Sequence, residues 1–326
     1  MQERLFSGIR PTGSLHIGNY LGAVKNWVDL QEKYDSFLCV VDLHAITTPF
    51  EPKELPSKIK DMFIEVLACG VDPNKATLFV QSHIKEHAEL AWILGSVTNF
   101  NWLSGMIQFK EKSDQHPEHV TAALFNYPTL QAADVALYKA KKVPIGEDQL
   151  QHIEFARDVI RKFNYSYKDV LIEPKELITE SKRIMGLDAN AKMGKSLNNY
   201  IAVTSSSEDI FQKLRPAVTD PARIRKTDAG TPEKCNIYTS YHKYFSDEET
   251  LKEVQEGCTK ATIGCIDCKK MLHKNMDKHL TPIREKYHEI KDNDKYIQEV
   301  IDFGKEKAQK VANETIKEVK EAIGLT

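Results

Sequence analysis

The stretch LFSGIRPTGSLHIGN, residues 5–19, starts as an apolar strand and continues through a turn into a helix. A helix begins with unpaired backbone N–H groups and the positive end of its dipole, and both attract phosphate. Gly13 and Gly18 have no side chain, so the backbone can approach a ligand closely at these positions. The stretch therefore predicts a strand–turn–helix unit that binds nucleotide phosphates.

A second segment, KMGKS at residues 192–196, completes this prediction, and we refer to it as the lysine loop. It places two ammonium groups three residues apart on a loop that contains glycine, where they can reach a triphosphate from the opposite side. A single Lys-x-x-Lys is usually a surface feature, but the two segments in this order predict two halves of one ATP site. No Gly-x-Gly-x-x-Gly follows the first strand, which argues against a dinucleotide oxidoreductase.

The chain between the two segments alternates short apolar runs with longer helical patterns. We predict strands at 4–9, 36–42, 76–81 and 142–145, and helices at 17–33, 52–69, 119–140 and 148–164. This alternation is typical of a parallel sheet with helices on both faces, whose ligands bind beyond the carboxyl ends of the strands. The predicted fold class is α/β, with a Rossmann-like doubly wound parallel sheet.

The strand pattern fades after about residue 200, and the remaining chain predicts helices at 247–278, 280–291 and 294–323. The last of these carries small or apolar residues every three to four positions, as a helix packed on a core does. We therefore predict a catalytic domain at 1–190, followed at 191–326 by the lysine loop and a C-terminal all-helical domain.

Composition limits the class of protein. The 326 residues are 41% hydrophobic and 28% charged with a net charge of −2, as expected for a globular protein rather than a globally basic nucleic-acid coat protein. No apolar run approaches the roughly 18–20 residues that a membrane span needs, and no leader pattern precedes the first strand. We expect a cytoplasmic protein that does not enter membranes.

Several motifs, which occur in the expected order along the chain, resemble those of one known family. The two segments resemble the HIGH and KMSKS motifs of class I aminoacyl-tRNA synthetases. The surrounding sequence resembles bacterial tryptophanyl-tRNA synthetases in six stretches, at residues 6–13, 18–23, 42–47, 81–83, 127–134 and 143–149. Asn19 stands where the general class has histidine, which is usual in this subfamily. Gly194 stands where the family usually has serine.

The resemblance implies activation of L-tryptophan by ATP with Mg²⁺, then transfer to tRNA-Trp by a homodimer. It implies catalytic roles for His16, Lys192 and Lys195. The implied ATP contacts are Arg10, Pro11, Thr12, Gly18, Asn19, Lys112, Gly146, Glu147, Asp148, Ile184, Lys192, Met193, Gly194, Lys195 and Ser196. Two alternatives remain open: a tyrosyl-tRNA synthetase, and a non-catalytic RNA-binding paralogue on the same fold, whose mark would be loss of the ATP motifs.

The implied amino-acid pocket centres on Asp134, which accepts the indole N–H in this resemblance. Tyr127, Gln131 and Asp134 are spaced by four and three residues, so they share one helix face. Phe6, Val135, Val143 and Ile145 complete the apolar slot. Tyrosyl-tRNA synthetases use a similar Tyr-x3-Gln-x2-Asp arrangement for a phenol, which keeps tyrosine open as the substrate.

Four of the six cysteines, Cys235, Cys258, Cys265 and Cys268, have the spacing C-x22-C-x6-C-x2-C. Four thiolates can form a tetrahedral zinc site or hold an iron–sulfur cluster. The spacing resembles a subset of bacterial tryptophanyl-tRNA synthetases that carry a 4Fe-4S cluster in the helical domain. Zinc and free thiols are the alternatives. Nearby, Lys269, Lys270, Lys274 and Lys278 are candidates for an RNA-facing patch or for an ordinary solvated face.

Overall fold

The computed structural model describes residues 2–115, 117–146, 149–178, 184–195 and 197–325, without the side chains of Lys112, Gln115 and His119. Five parallel strands form one sheet in the order β3-β2-β1-β4-β5. They are β1 (Arg4–Ile9), β2 (Asp35–Val40), β3 (Ala76–Val80), β4 (Lys142–Ile145) and β5 (Lys175–Ile178). β2 and β3 are buried along nearly their whole length, as strands covered on both faces are. This confirms the predicted fold class.

The strand order reverses at β1, whose neighbours are β2 on one side and β4 on the other. A crevice opens beyond the carboxyl ends of the strands at such a reversal, and it is where doubly wound sheets bind ligands. Residues 10–19 leave the end of β1, and Gly146 follows β4. Strand β5 was not predicted from the sequence, because its four residues, Lys-Glu-Leu-Ile, carry too little apolar pattern.

The helices of the first half of the chain lie between the strands and in the loops that follow them. They are α1 (Ile17–Asn19), α2 (Lys25–Leu30), α3 (Asp42–Ala45), α4 (Leu55–Ala68), α5 (Glu86–Gly95), α6 (Phe100–Ser104), α7 (Ile107–Gln115), α8 (Ala122–Leu137) and α9 (Leu150–Ser166). A π-helical turn, Tyr20–Val24, joins α1 to α2. The predicted helix at 17–33 is therefore present with a wider turn inside it.

The later helices are α10 (Ser207–Leu214), α11 (Lys243–Phe245), α12 (Glu248–Thr259), α13 (Cys265–Lys291) and α14 (Asp294–Ile323). The prediction of one helix at 247–278 and another at 280–291 was wrong. The chain breaks at Ala261, whose φ of 54° is left-handed, and a new helix starts after Gly264. α13 then runs through Pro282, where one hydrogen bond is lost but buried Leu280 and Ile283 keep the helix packed.

The C-terminal helices pack onto the sheet domain. α13 contacts α4, and α14 lies along β3, where a Cβ on Gly304 would come 1.8 Å from the carbonyl oxygen of Leu78. Only glycine permits so close an approach of helix to strand. Ala308, Ala312 and Val319 of α14 are fully buried, which confirms the predicted core face. The predicted boundary at residues 190 and 191 stays a prediction. Within the described ranges, no helix has the length and apolarity to cross a membrane.

Candidate active site

A cavity of about 390 Å³ lies at the crevice beyond β1 and β4. Its wall includes six of the seven residues predicted for the amino-acid pocket and two predicted for ATP, namely Phe6, Tyr127, Gln131, Val135, Val143 and Ile145, with Arg10 and Gly146. Both strands contribute the side chains of their carboxyl ends, and α8 contributes one face. Tyr127 and Gln131, which are spaced by four residues on α8, thus lie on a common surface, as predicted.

Asp134, the seventh predicted pocket residue, is 1% exposed and does not belong to the cavity wall. Its Oδ1 accepts hydrogen bonds from Gln81 Nε2 at 2.7 Å and His87 Nδ1 at 2.6 Å. Its Oδ2 is 2.8 Å from Nε2 of His44, which does line the cavity. On the far side of His87, Nε2 is 2.8 Å from the Tyr138 hydroxyl. Asp134 is therefore the centre of a buried hydrogen-bond network behind the pocket.

Burial opposes ionisation of Asp134, but the two histidines outweigh it. Desolvation alone would raise the pKa of this carboxyl, whereas the charges and hydrogen bonds of His44 and His87 lower it below its ordinary value. Asp134 is therefore a carboxylate at neutral pH. Sequence reasoning assigned no role to His44, Gln81 or His87. The available signal was the position of the first two: Gln81 directly follows buried strand β3, and His44 lies in α3, the short helix that follows buried strand β2.

At the other end of the crevice, His16 caps α1, and its Nδ1 accepts a hydrogen bond from the backbone N–H of Asn19 at 3.2 Å. Burial, followed by the charges of Lys195 and Lys192, lowers the pKa of His16 to about 4. The imidazole is therefore neutral at pH 7. Because Nδ1 is an acceptor, the ring proton is on Nε2, which is then a donor.

The lysine loop packs directly against the predicted phosphate turn. A Cβ on Gly13, whose φ is +121°, would lie 3.3 Å from Cδ of Lys195, and one on Gly18 would lie 3.5 Å from Cβ of Met193. Lys192 is exposed at the edge of this contact. Glycines at both positions therefore let the two segments meet, as their joint reading as one ATP site predicted.

Two backbone contacts hold the lysine loop in place. The N–H of Gly194 donates to Oδ1 of Asn199 at 2.9 Å, and Asn199 Nδ2 donates to Asp188 at 3.0 Å. Met193 N–H donates to the carbonyl of Ile184 at 3.0 Å. Sequence reasoning missed Asn199, which is 4% exposed.

The remaining predicted ATP residues are distributed around this contact. Pro11 is buried, Thr12 is exposed and Asn19 is half-buried at the end of α1, while the Ile184 side chain lies in the core. Glu147, Asp148 and Ser196 lie outside the described residues, as does the side chain of Lys112, whose backbone belongs to α7.

The four cysteines come from three places in the chain: Cys235 follows a 3-10 turn (Pro232–Lys234), Cys258 lies in α12, and Cys265 and Cys268 share the first turn of α13. Cys268 is influenced by Cys235, Cys258 and Cys265, and these neighbours, together with burial as the larger cause, raise its pKa to about 12. In the described part of the chain, no group of three or more His, Cys, Asp or Glu side chains is arranged so that it could hold a metal ion. None of the six cysteines forms a disulfide.

Positive and hydrogen-bonding groups surround these thiols. Arg223 Nη1 is 3.5 Å from Cys258 Sγ, and His242 Nε2 is 3.3 Å from Cys268 Sγ. Arg223 is 8% exposed, and its Nε has no hydrogen-bond partner among the residues that the structure describes. Lys269, predicted as part of an RNA-facing patch, is instead 4% exposed, and it donates to the carbonyls of Arg215 and Ala217. The Lys269 ammonium is therefore bound by backbone carbonyls inside the protein rather than presented to solvent.

Comparison with known proteins places this architecture in one family. The family "tRNA synthetases class I (W and Y)" matches residues 2–281. The chain is 48% identical over 327 residues to the tryptophan–tRNA ligase of Deinococcus radiodurans, covering 99% of this chain and 98% of that protein. It is 44% identical over 327 residues to that of Thermotoga maritima, covering 99% of each.

A solved structure agrees with these relatives. The tryptophanyl-tRNA synthetase of Campylobacter jejuni, complexed with ADP and tryptophan, superimposes with a TM-score of 0.88 at 35% identity, covering 99% of this chain and 100% of that one. The similarity therefore spans the sheet, the cavity and the C-terminal helices together. The chain belongs to the class I tryptophan and tyrosine tRNA synthetases, and within that family to the tryptophan–tRNA ligases.

Proposed function

We infer that the protein activates L-tryptophan with ATP and Mg²⁺, forming tryptophanyl-adenylate and pyrophosphate, and then transfers tryptophan to tRNA-Trp. One observation carries the chemistry: the phosphate turn and the lysine loop meet through Gly13 and Lys195 next to an apolar cavity that Arg10 lines. The charge of Arg10 acts on Lys195, which connects the two parts of the site. The sequence motifs whose loss would mark a non-catalytic paralogue are present.

The reaction needs alignment and charge stabilisation rather than a protein nucleophile. The tryptophan carboxylate attacks the α-phosphate, and negative charge passes to the departing pyrophosphate. We propose that the ammonium groups of Lys192 and Lys195 and the Nε2–H of His16 stabilise that charge. Residues 10–12, Gly18, Asn19, Gly146, Ile184, Met193 and Gly194 are the proposed further contacts of ATP, together with Lys112, Glu147, Asp148 and Ser196.

We further propose that the cavity holds the indole ring and that Asp134, with His44, recognises its N–H. Oδ1 of Asp134 already accepts two hydrogen bonds, whereas Oδ2 accepts one and retains capacity for another. A site that hydrogen-bonds the N–H of its ligand discriminates strongly against a ligand without that group, because the buried carboxylate would then lack a hydrogen-bond donor. The apolar side chains around it, Phe6, Val135, Val143 and Ile145, favour indole over the more polar phenol.

Amino-acid-dependent pyrophosphate exchange tests this function. The purified protein is incubated with ATP, Mg²⁺ and labelled pyrophosphate, and with tryptophan or tyrosine in parallel. We expect exchange with tryptophan and none above background with tyrosine. Exchange with tyrosine alone would contradict the substrate, and exchange with neither would contradict the activity. Charging of tRNA-Trp is then measured with the same preparation.

Gly194→Ser restores the residue that the family usually has in the lysine loop. Among the described residues, a Cβ at Gly194 would meet just the carbonyl oxygen of Lys192, at 3.8 Å, which leaves room for a serine side chain. We expect the exchange rate to stay within about twofold of the parent value. Gly13→Ala is the matched control, because its left-handed φ and the contact with Lys195 make it costly. Equal losses in both variants would contradict this expectation.

We propose that Cys235, Cys258, Cys265 and Cys268 hold a 4Fe-4S cluster, with zinc as the alternative. The donor chemistry is that of either group, since four thiolates bind both 4Fe-4S clusters and structural zinc. The unpartnered Nε of buried Arg223 and the Nη1 contact to Cys258 supply hydrogen-bond donors, which favour an anionic sulfur site. Burial raises the pKa of the Cys235 thiol, and backbone hydrogen bonds at Tyr238 and Ile237 oppose that rise. When bound, the group would cross-link the elements that carry the four thiols.

Anaerobic purification followed by iron, sulfide and zinc analysis separates the alternatives. A cluster predicts about four irons and four sulfides per chain, with a broad absorption band near roughly 400 nm. The single variant Cys265→Ser is expected to lose most of the iron, whereas Cys39→Ser, a buried thiol far from the group in sequence, retains it. One zinc per chain and no iron supports the structural-zinc alternative. Absence of both metals contradicts the proposal.

We propose a homodimer that uses the uncharged groove between α5 and α8. The groove has a volume of about 570 Å³ and is lined by Ala88, Ala91, Trp92, Ala123 and Leu130, among others. Trp92 is 85% exposed in a single chain, and Phe100 is 69% exposed. Large exposed apolar patches of this kind mark protein interfaces, and the homodimers implied by the family resemblance make a second copy the proposed occupant.

Trp92→Glu is expected to convert the dimer to a monomer, because a carboxylate would be buried against an apolar surface. Tyr165→Glu is the matched control, since Tyr165 is 87% exposed and lies outside the groove. The measurement is molar mass by light scattering during size-exclusion chromatography. A parent protein that is monomeric at micromolar concentration, or a Trp92→Glu variant that remains dimeric, argues against this interface.

The tRNA partner is proposed to contact the exposed lysine face of α13. Lys270, Lys274 and Lys278 are exposed and spaced by four residues, so they form one row on the helix. Lys269 does not belong to that row because it is buried. We also propose that the protein acts in the cytoplasm, where tRNA is charged.

A further inference from the structure

A carboxylate in the apolar half of α4 has no role in the site described so far. Glu65 is 2% exposed and is flanked by buried Ile64, Val66 and Leu67. An ionisable group in such a position is costly unless it makes specific interactions. The only sequence signal is one acidic residue within the apolar run MFIEVLAC at residues 62–69.

Glu65 hydrogen-bonds to the phosphate turn and to the chain that follows the lysine loop. Its Oε2 accepts a hydrogen bond from the backbone N–H of Leu15 at 2.6 Å, one residue before His16. Its Oε1 accepts from the Thr204 hydroxyl at 3.4 Å, in the chain that follows the lysine loop. Between these two points, the N–H of Val203 donates to the carbonyl of Leu15 at 2.9 Å. The Glu65 side chain thus joins the phosphate turn, through Leu15, to the chain after the lysine loop, through Thr204.

Glu65 also supplies negative charge to Lys195. The surroundings of that ammonium are otherwise cationic, because Lys58 and Arg10 repel it, and its burial disfavours the charged form. Glu65 opposes these effects and favours the ammonium that the triphosphate needs. The effect is mutual, because the positive charge of Lys195 favours the ionised form of Glu65.

We propose that Glu65 is a positioning residue for adenylate formation, whose carboxylate holds Lys195 charged and the Leu15 turn in place for the triphosphate. This inference rests on the proposed function. The interaction acts through Lys195, so we expect it to affect the chemical step more than tryptophan binding, because neither residue lines the cavity.

Glu65→Gln tests the charge while preserving the contacts. A glutamine oxygen can accept from Leu15, and its amide can donate to the Thr204 hydroxyl, so only the negative charge is lost. We expect kcat for tryptophan-dependent pyrophosphate exchange to fall about tenfold, with KM for tryptophan within about twofold. Asp61→Asn is the matched control, since Asp61 is an exposed acid on the same helix that acts on Glu65.

The pH profile distinguishes positioning from a merely structural role. Burial raises the pKa of Glu65 to about 7, and burial lowers that of Lys195 to about 8. The parent kcat should therefore decrease below about pH 7, as Glu65 is protonated, and above about pH 8, as Lys195 loses its proton. The other titratable groups coupled to Glu65 are Asp61, Cys69 and Tyr287.

In Glu65→Gln the acid limb should disappear and the alkaline limb should move to lower pH, because Lys195 loses its attractive partner. A variant with the parent kcat and an unchanged profile overturns the inference. If the Glu65→Gln variant does not fold, the pH profile of the parent protein tests the inference. A parent kcat that does not decrease below about pH 7 overturns the proposed role of Glu65. If the parent shows no tryptophan-dependent exchange at all, the proposed function has failed instead.

Discussion

Lys195→Ala is expected to lower kcat for tryptophan-dependent pyrophosphate exchange by about 10²–10³-fold, the range observed when one charge-stabilising donor is removed from an active site. The Lys195 side chain lies against Gly13, at the start of the phosphate turn, and its ammonium acts on His16. Removing it leaves the charge that develops on the departing pyrophosphate without its nearest partly desolvated cation. KM for tryptophan should change little, because Lys195 is absent from the cavity wall.

The pH dependence gives this prediction a second readout. Because burial lowers the pKa of Lys195 to about 8, the parent enzyme should lose kcat as pH rises through that value. The Lys195→Ala variant should show no such decline. Lys58→Ala is the control, since Lys58 also acts on Lys195 but is paired with Glu54 at 2.6 Å on the surface of the protein. A Lys195→Ala variant that keeps more than half of the parent exchange rate rules out the proposed catalytic role.

Asp134→Asn is expected to impair both stability and tryptophan activation. Asparagine has the same shape, but one carboxylate oxygen becomes an NH₂ group that faces Nε2–H of His44 or the donors Gln81 and His87. Breaking a buried charged network by removing one partner costs about 3–5 kcal/mol. We expect a loss of unfolding free energy of that order in urea denaturation. Catalytic efficiency with tryptophan should fall by at least about 10²-fold.

The pH dependence of stability follows from the lowered pKa of Asp134. A carboxyl with a depressed folded-state pKa stabilises the fold above its unfolded pKa of about 3.9, and this contribution is lost as pH falls towards the folded value. The difference between parent and variant should thus be constant near neutrality and shrink only in acid. Asp42→Asn is the control: Asp42 is also buried, but its oxygens accept from Ser82 and from the backbone N–H of Leu43 rather than from the side chains that bind Asp134. An Asp134→Asn variant with unchanged KM and kcat for tryptophan contradicts its proposed role.

Local patterns were sufficient for the framework of this protein. The apolar runs at 4–9 and 76–81 became β1 and β3, because a run of buried β-branched and aromatic residues forms strand in almost any context. The turn at residues 10–19 was readable because its glycines and helix start are chemical requirements of a phosphate site. Helix spacing likewise placed Tyr127 and Gln131 on one cavity wall.

The same local reading misjudged positions that depend on distant partners. Lys269 resembled its neighbours in an exposed lysine row, but carbonyls of residues 215 and 217 draw it inside. The helix prediction for 247–278 missed the break at Ala261, because no glycine or proline marks the left-handed residue itself. Pro282 suggested that one helix ends and another begins near residue 280, but α13 packs as one continuous helix through this proline.

What the sequence by itself determined is therefore the order of strands and helices, the two ATP segments and the family to which they belong. Only the tertiary structure decided how Asp134 meets His44, Gln81 and His87, residues 90, 53 and 47 positions away along the chain. It likewise decided that Glu65 reaches Leu15, 50 positions away. Periodicity and turn chemistry act over a few residues, whereas a buried polar contact depends on which elements the folded sheet brings together.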